Sequence, residues 1–384
     1  MSKSNAYSLL RLAHYGADWE RLPLLNPRTV RVRATDLDAP GGAAASATLA
    51  DPRAMVISEQ ARAGDPEALR ELGRDAFFRY PAQLVGYVAR ALRSHEDAAR
   101  YGLWVDEREG VGGIVRVELA DGSSSFAFTC ATCHVGEGSR DASARGLVVG
   151  AGNARLDLGR LMLDAYPEAS QRLAAWGPGR ADVSTSLGDT PVRIPDLRPV
   201  RGLTHLQHDA TIEQRGLVSL ALRIETLLIT GHGEAVRPPR EIALALATYV
   251  SSLADTLPRA RTPIGVPSEG PAIFEARCAR CHGGPFFTGA PIALEAVGTD
   301  PTAGRSSERG TGMYRVPSLR GLDARGPLLH DGSLPNLDAL FDPERTSPSY
   351  RGGLLGAGAV FGHAFGLDLD PRSRAALLAY VRAL

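Results

Sequence analysis

Every cysteine of the 384-residue chain belongs to one of two Cys-x-x-Cys-His pentapeptides. Two thiols separated by two residues on a helical turn can form thioethers with two vinyl groups on one edge of a porphyrin, and the adjacent imidazole can bind its iron. A disulfide framework needs no histidine after each pair, and a structural zinc site needs four convergent ligands. The pattern therefore predicts two covalently bound haem c groups, with attachment through Cys130, Cys133, Cys278 and Cys281 and proximal ligation by His134 and His282.

Covalent haem attachment also predicts a compartment. The first residues, MSKSNAYSLLRLAHYGADWERLP, contain no apolar segment of signal-peptide length, which alone favours the cytosol. Bacterial thioether formation takes place outside the cytoplasmic membrane, and this requirement outweighs the missing export signal. We therefore expect a periplasmic protein, an inference that rests on the two motifs.

Charge and hydropathy exclude several classes of protein. Lys plus Arg and Asp plus Glu each number 43, so the formal net charge is zero. The chain therefore has no excess of positive charge, which proteins that bind nucleic acid or anionic membranes normally have. No apolar run approaches the roughly 18 residues of a membrane span. The length favours two domains, or one domain with an extension.

The sequence contains an internal repeat. An R-x-P-x-L-R segment occurs at 193–198 and again at 315–320, and each copy precedes a His-Asp pair, at His208 and His330. Gly-His pairs follow at His232 and His363, and each half closes with a similar segment, ALATYVSSL at 245–253 and ALLAYVRAL at 376–384. Apolar residues in both closing segments recur at helical spacing. Asp370 followed by Pro371 predicts the start of the last helix.

These features predict a mainly α fold, with two cytochrome c-like haem modules related by internal duplication. The predicted divisions are an N-terminal extension at 1–115, a first module at 116–256, a linker at 257–270 and a second module at 271–384. The linker is rich in Pro and Arg. The extension has no counterpart in the second half.

Several segments of the chain together resemble those of one known family: FTCATCH, 150–161, 176–182, CARCHGG, 297–301, 314–337 and 362–371. Over roughly residues 100–384 the chain resembles the di-haem cytochrome c peroxidase superfamily, which also contains the enzyme that matures methylamine dehydrogenase and the haem-dependent rubber oxygenases. Two features depart from the pattern of that superfamily. Its peroxidases commonly use methionine as the sixth ligand of the C-terminal haem, but Met313 is poorly placed, and the chain is much shorter than the rubber oxygenases.

The resemblance and the repeat together suggest the sixth ligands. His363 lies in a G-H-x-F-G segment like that of the family, and His232 occupies the equivalent place in the first half. Tyr350 and Met313 are the alternatives at the second haem. The resemblance also implies an electron-relay role for Trp176, which packing would explain equally, and a possible inter-haem calcium site involving Asn153 and Thr299 or Asp300. No acidic cluster with calcium-loop spacing supports that site.

Candidate distal residues are His205 and His208, since imidazole can move protons near neutral pH. The alternative for His208 and for its counterpart His330 is a role that both modules share, namely contact with haem propionates and packing of turns. Guanidinium pairs bidentately with carboxylate, so Arg320 fits the same haem-binding role. Its companions in the repeated motif are Arg193, Arg198 and Arg315.

The leading functional hypothesis is a di-haem oxidoreductase of the peroxidase type. Electrons from a small redox protein or another donor would reach the C-terminal haem and pass to a reactive N-terminal haem, which would reduce hydrogen peroxide or activate oxygen. One alternative is an electron-transfer cytochrome with both irons closed by histidine. Another is an oxygenase acting on a hydrophobic substrate. The second module keeps the G-H-x-F-G and HDGS segments, which favours a fixed six-coordinate iron there.

Overall fold

The computed structural model describes residues 21–45, 51–137, 146–168, 171–182, 190–257, 269–307, 309–322 and 325–384. Residues 258–268 of the predicted linker lie outside these ranges. Parts of the predicted N-terminal extension, 1–20 and 46–50, lie outside them as well.

Helices occur in both halves of the described chain. No helix in these ranges is long and apolar enough to cross a membrane. Short 3₁₀ turns at 86–92, 200–202, 253–256 and 343–346 connect several elements. The α-helices are α1 (Gly42–Ala45), α2 (Glu59–Ala63), α3 (Pro66–Arg79), α4 (His95–Arg100), α5 (Cys130–His134), α6 (Leu158–Ala165), α7 (Leu217–Gly231), α8 (Arg240–Ser252), α9 (Glu269–Arg277), α10 (Leu294–Val297), α11 (Leu337–Leu340) and α12 (Pro371–Arg382).

The prediction of a mainly α fold built of two cytochrome c-like modules is wrong, because antiparallel sheets accompany the helices. A four-stranded sheet has the order β1-β5-β6-β2, and the other strands form two-stranded pairs. The strands are β1 (Thr29–Arg31), β2 (Gln83–Leu84), β3 (Val105–Asp106), β4 (Gly110–Val111), β5 (Ile114–Glu118), β6 (Ser124–Phe128), β7 (Val135–Glu137), β8 (Leu147–Val149), β9 (Arg180–Ala181), β10 (Val192–Arg193), β11 (His205–Leu206), β12 (Ile212–Glu213), β13 (Ile292–Ala293) and β14 (Met313–Tyr314).

The central hairpin of that sheet has a sequence signal that the helical prediction overlooked. Strands β5 and β6 pair with Ile114 opposite Phe128 and Glu118 opposite Ser124. Their connection contains Asp121-Gly122, and Gly122 has φ +79°, the left-handed conformation that a tight hairpin turn requires. The predicted boundary at residue 115 falls inside β5. The first Cys-x-x-Cys-His motif follows β6 directly, so this sheet positions it.

The closing helices were predicted correctly. Residues 245–253 fall in α8 and its 3₁₀ continuation, and 376–384 begin within α12. Asp370 caps α12 as expected, because its side chain accepts hydrogen bonds from the backbone N–H groups of Arg372 and Ser373. Both helices bury an apolar face, and Leu246 and Leu377 are fully buried.

Helices α3 and α8 pack closely against each other in the first half. Gly73 lies where they cross, and a Cβ atom there would overlap the carbonyl oxygen of Ala245. The absence of a side chain therefore sets the distance between the two helices.

We expect Gly73→Ala to destabilise the protein by about 1–3 kcal/mol, because the added methyl forces α3 and α8 apart. At an unobstructed helical position the same change stabilises by about 1 kcal/mol. Gly86→Ala is the matched control, since a Cβ there meets no atom. Urea denaturation of both variants measures the difference. Equal stability of the two variants would contradict this account of the helix crossing.

Candidate haem-binding sites

The first Cys-x-x-Cys-His motif forms the short helix α5, directly after strand β6. Thr129 precedes the helix, and its hydroxyl donates a hydrogen bond to the carbonyl oxygen of Gly113 at 2.8 Å. Gly113 has φ +62° and lies so close to the helix that a Cβ would collide with the backbone of Ala131 and Thr132. The hairpin thus fixes the helix that carries both thiols and His134.

The four cysteines are partly exposed and form no disulfide. Burial nevertheless raises the pKa of the Cys130 and Cys133 thiols to about 12, and that of Cys278 to about 11. Thiols with a pKa this high stay protonated near neutral pH. These three thiols therefore differ from the low-pKa thiols of reactive Cys-x-x-Cys dithiols.

Both histidines predicted as proximal ligands are oriented through Nδ1. Nδ1 of His134 donates to the carbonyl oxygen of Pro195 at 3.1 Å, and Nδ1 of His282 donates to that of Phe287 at 3.1 Å. These bonds leave Nε2 of each ring as the nitrogen that can bind a metal. Burial lowers the pKa of His134 to about 4 and also lowers that of His282, so both rings are neutral, as ligands must be.

The structure places His363 opposite His282. Their ring centroids are 6.3 Å apart, with an angle of 62° between the ring planes. Two imidazoles that bind one metal from opposite sides through nitrogens about 2.0–2.1 Å away have centroids roughly 6 Å apart. Burial lowers the pKa of His363 to about 4, which keeps this ring neutral as well. His282 and His363 would therefore be able to hold one haem iron between them.

His232, the equivalent residue of the first half, uses its Nε2 atom in a hydrogen bond to the backbone. Nε2 of His232 donates to the carbonyl oxygen of Pro81 at 2.9 Å, and Pro81 belongs to the predicted N-terminal extension. Coordination of iron through Nε2 would require this hydrogen bond to break. His232 also terminates α7 as its C-cap residue. The two Gly-His pairs of the sequence thus have different surroundings.

Arginines of the repeated motif are buried near the contact between the two halves. The Nε atoms of Arg193 and Arg315 are buried without a hydrogen-bond partner. Burial lowers the pKa of each guanidinium to about 10. Guanidinium groups in such places are matched by anionic partners. The two propionates that every haem c carries have the required charge, so these arginines fit the cofactor.

A cavity of about 660 Å³ lies beside Arg193. Its wall includes Arg180, Arg325 and Trp176, and the Nε1 atom of Trp176 is buried without a partner. Trp176 is 2% exposed and packs in the core with Leu161. Its burial supports the packing role, and the electron-relay role stays a prediction.

The R-x-P-x-L-R…H-D segments of the two halves contact each other reciprocally. The N–H of Arg193 donates to the carbonyl of His330 at 2.9 Å, and the N–H of the corresponding Arg315 donates to the carbonyl of the corresponding His208 at 2.8 Å. The ring of His330 also stacks on Tyr314, with 4.1 Å between centroids. These residues join the two halves.

The candidate distal histidines have different partners. Nε2 of His208 donates to the carbonyl of Arg193 at 3.0 Å, and burial together with Arg315 lowers its pKa well below the ordinary value. This arrangement favours the structural role for His208. His205 lies in β11, partly exposed, with Nδ1 at 3.3 Å from the Thr204 hydroxyl.

The remaining predicted residues are placed as follows. The Arg320 guanidinium lies 5.0 Å from the centroid of the Phe286 ring. Met313 pairs with Ala293 in the strand pair β13–β14. The Tyr350 hydroxyl lies beside Gly352, so close that a Cβ on that glycine would overlap it. In this structure it is His363 that faces the proximal histidine.

A calcium or zinc ion is not supported. Within the described ranges, no three or more His, Cys, Asp or Glu side chains converge as an ion site. Asn153 uses Oδ1 to accept from the backbone of Arg155 and Leu156, and Nδ2 to donate to Gly102. The buried arginines already bring positive charge to the contact between the halves. The Asn153 amide is therefore engaged by the backbone, and the calcium site stays a prediction.

Sequence reasoning missed two groups that shape the sites. The backbone carbonyls of Pro195 and Pro81 hold His134 and His232, and Arg345 holds the loop before His363. The recurrence of the R-x-P-x-L-R motif was a usable signal for Pro195, because the backbone of Pro317, the proline of the second copy, likewise hydrogen-bonds to His282. No pattern in the sequence marked Pro81 or Arg345.

No family model matches the chain, and no curated protein matches it. Among solved structures it is similar to Kuenenia stuttgartiensis hydrazine synthase, in a structure pressurized with 20 bar xenon. The identity is 17% and the TM-score 0.33, over 53% of this chain and 76% of that chain. A likeness at this level assigns neither fold nor function, so the resemblance to the peroxidase superfamily stays a prediction.

Proposed function

We propose that this protein is a di-haem c-type oxidoreductase with two unlike iron sites. When bound, the haem at Cys278–His282 would accept electrons and the haem at Cys130–His134 would reduce hydrogen peroxide, or activate oxygen, at an iron with an accessible sixth position. The electrons would come from a small redox protein or another donor. The attachment chemistry supports a periplasmic location.

The observation that carries the proposal is the difference between the two Gly-His pairs. The His363 ring lies 6.3 Å from that of His282, whereas Nε2 of the equivalent His232 is bonded to Pro81. A site closed by two histidines reorganises little during electron transfer and suits electron input. A site without a second histidine ligand can admit a small oxidant. This asymmetry favours an enzyme over a cytochrome with two closed irons.

The chain itself supplies orientation and proton control. The Pro195 and Phe287 carbonyls fix the two proximal rings, and the buried arginines match the haem carboxylates. Reduction of hydrogen peroxide to two water molecules consumes two electrons and two protons. His205 is partly exposed, so it can exchange protons with solvent, although burial lowers its pKa below the ordinary value. We therefore propose His205, rather than His208, for proton delivery.

We expect two covalent haems per chain and one in each double-cysteine variant. Cys130→Ser/Cys133→Ser removes one attachment site, and Cys278→Ser/Cys281→Ser removes the other, because each thiol pair binds a separate porphyrin. The pyridine haemochrome of denatured, reduced protein measures the stoichiometry. Haem that acid-acetone extracts from the unmodified chain would contradict covalent attachment.

Peroxide consumption by the holoprotein tests the proposed reaction. The reduced protein is mixed with hydrogen peroxide, and oxidation of both haems is followed in a stopped-flow spectrometer. We expect rapid oxidation with two electrons consumed per peroxide. Oxidation at the rate of free haem would favour the electron-transfer cytochrome, and oxygen uptake that requires an added apolar substrate would favour the oxygenase.

A further inference from the structure

Arg345 is completely buried, in the 3₁₀ turn Pro343–Thr346 of the second half. Its guanidinium donates hydrogen bonds to four backbone carbonyl groups. Nε bonds to Leu340 at 2.9 Å, Nη1 to Val360 at 2.6 Å, and Nη2 to Gly362 at 2.8 Å and to His363 at 3.0 Å. One side chain thus connects the core of the second half to the loop that carries His363.

The backbone around His363 is constrained from the other side as well. The N–H of His363 donates to the carbonyl of Val297 at 2.6 Å. Gly362 lies against Thr299 so closely that a Cβ would overlap the Thr299 backbone. His363 itself has φ +46°, a left-handed conformation that a non-glycine residue adopts at an energetic cost. The loop is therefore held in one conformation between Arg345 and the segment 297–299.

His363 needs this backbone constraint because no other residue holds Nδ1 of its ring by a hydrogen bond. A metal-binding histidine ordinarily donates its second ring nitrogen to a carbonyl or carboxylate, which fixes the plane of the ring. His134 and His282 follow that rule through Nδ1. Nδ1 of His363 is buried with no hydrogen-bond partner. The position of the ring must then be set by its backbone, together with the edge contact of the ring on Phe365, 5.3 Å between centroids.

We propose that Arg345 is the positioning residue for His363, holding this histidine as the sixth ligand of the second haem. This inference rests on the proposed function, which makes His363 a ligand. The hydrogen bonds of Arg345 are to neutral carbonyls, so its charge also favours the less positive, reduced state of a nearby metal.

Low-temperature electron paramagnetic resonance of the oxidised holoprotein tests the proposal. In Arg345→Met we expect loss of most of the low-spin signal of the second haem and its recovery on addition of free imidazole, which can replace a displaced ligand. Arg345→Lys keeps a charge and up to three donors, so we expect a smaller loss. The midpoint potential of the remaining low-spin form should shift to more negative values in Arg345→Met and less so in Arg345→Lys.

Arg372→Met is the matched control, because Arg372 lies exposed in the same half and pairs with Glu269. Its spectrum should equal that of the unmodified protein. The proposal would be overturned if the low-spin signal and the midpoint potential were unchanged in both Arg345→Lys and Arg345→Met. If Arg345→Met does not fold, the result for Arg345→Lys alone decides. If the second haem of His363→Ala stayed low-spin, His363 would not be its ligand, and the proposed function would fail on that point. The His363→Ala variant therefore tests the ligand assignment, and the Arg345 variants test the positioning role.

Discussion

Replacement of His363 by Ala is expected to reduce peroxide turnover by about 100-fold or more, since the second haem loses its sixth ligand. His363 faces His282 across 6.3 Å, and its removal leaves one side of that iron without a protein nitrogen. The potential of the second haem should fall and its reorganisation during electron transfer should increase. Steady-state turnover with an artificial electron donor, together with a redox titration, measures both effects.

His232→Ala is the matched variant in the first half. Its Nε2 hydrogen bond to Pro81 contributes roughly 1 kcal/mol to stability but supplies no ligand in the observed arrangement. We expect turnover to be retained or increased. The decisive comparison is stopped-flow reaction of each variant with peroxide after one-electron reduction. An inert His232→Ala protein beside a rapidly reacting His363→Ala protein would reverse the assignment of input and reactive haems.

Asp196→Asn is expected to lower the free energy of unfolding by about 3–5 kcal/mol, because it removes the anionic partner of a buried pair. The Asp196 carboxylate accepts from Arg198 at 2.7 Å and lies 3.6 Å from Arg325, and all three side chains are buried. Asp196 also adjoins Pro195, whose carbonyl orients His134. Denaturant unfolding measures the loss. Asp255→Asn, at an exposed pair with Arg201, should change stability by no more than about 1 kcal/mol.

The same carboxylate predicts an acid-side loss of stability. Burial alone would raise the pKa of Asp196, but hydrogen bonds from Arg198 and the charge of Arg325 outweigh it and hold the pKa below its ordinary value. Because the pKa of Asp196 is lower in the folded than in the unfolded protein, its ionised carboxylate stabilises the folded state. This contribution is fully present above the unfolded-state pKa of about 3.9, and it is lost as the pH falls through the folded-state pKa. Unfolding measured from pH 6 downward should show a shallower decline in Asp196→Asn than in the unmodified protein.

The helical parts of the fold were predictable because their signals are local. Asp370-Pro371 and the apolar spacing of Leu377 and Val381 specify α12 without reference to the rest of the chain. The sheet was missed for a different reason. Its partners β1 and β5 are far apart in sequence, and only the Asp121-Gly122 turn of the hairpin β5–β6 is locally encoded.

The two Cys-x-x-Cys-His motifs are likewise readable from spacing alone, and they predict haem attachment, whereas no spacing predicts the surroundings of the Gly-His pairs. His232 and His363 occupy equivalent positions in the repeat, and sequence comparison treats them alike. The bond of His232 to Pro81 spans 151 residues, and Arg345 acts through carbonyl groups that every residue possesses. Contacts with backbone atoms over such distances leave no residue pattern to detect.

Low-temperature electron paramagnetic resonance of the oxidised, unmodified holoprotein tests the central claim, the inequality of the two irons, most directly. The account predicts one low-spin signal from an iron held by His282 and His363, and a separate high-spin signal from the iron held by His134. The high-spin signal is expected either in the fully oxidised protein or after one-electron reduction. Two low-spin signals that persist unchanged through partial reduction would contradict it, because both irons would then be closed and the protein would be an electron carrier.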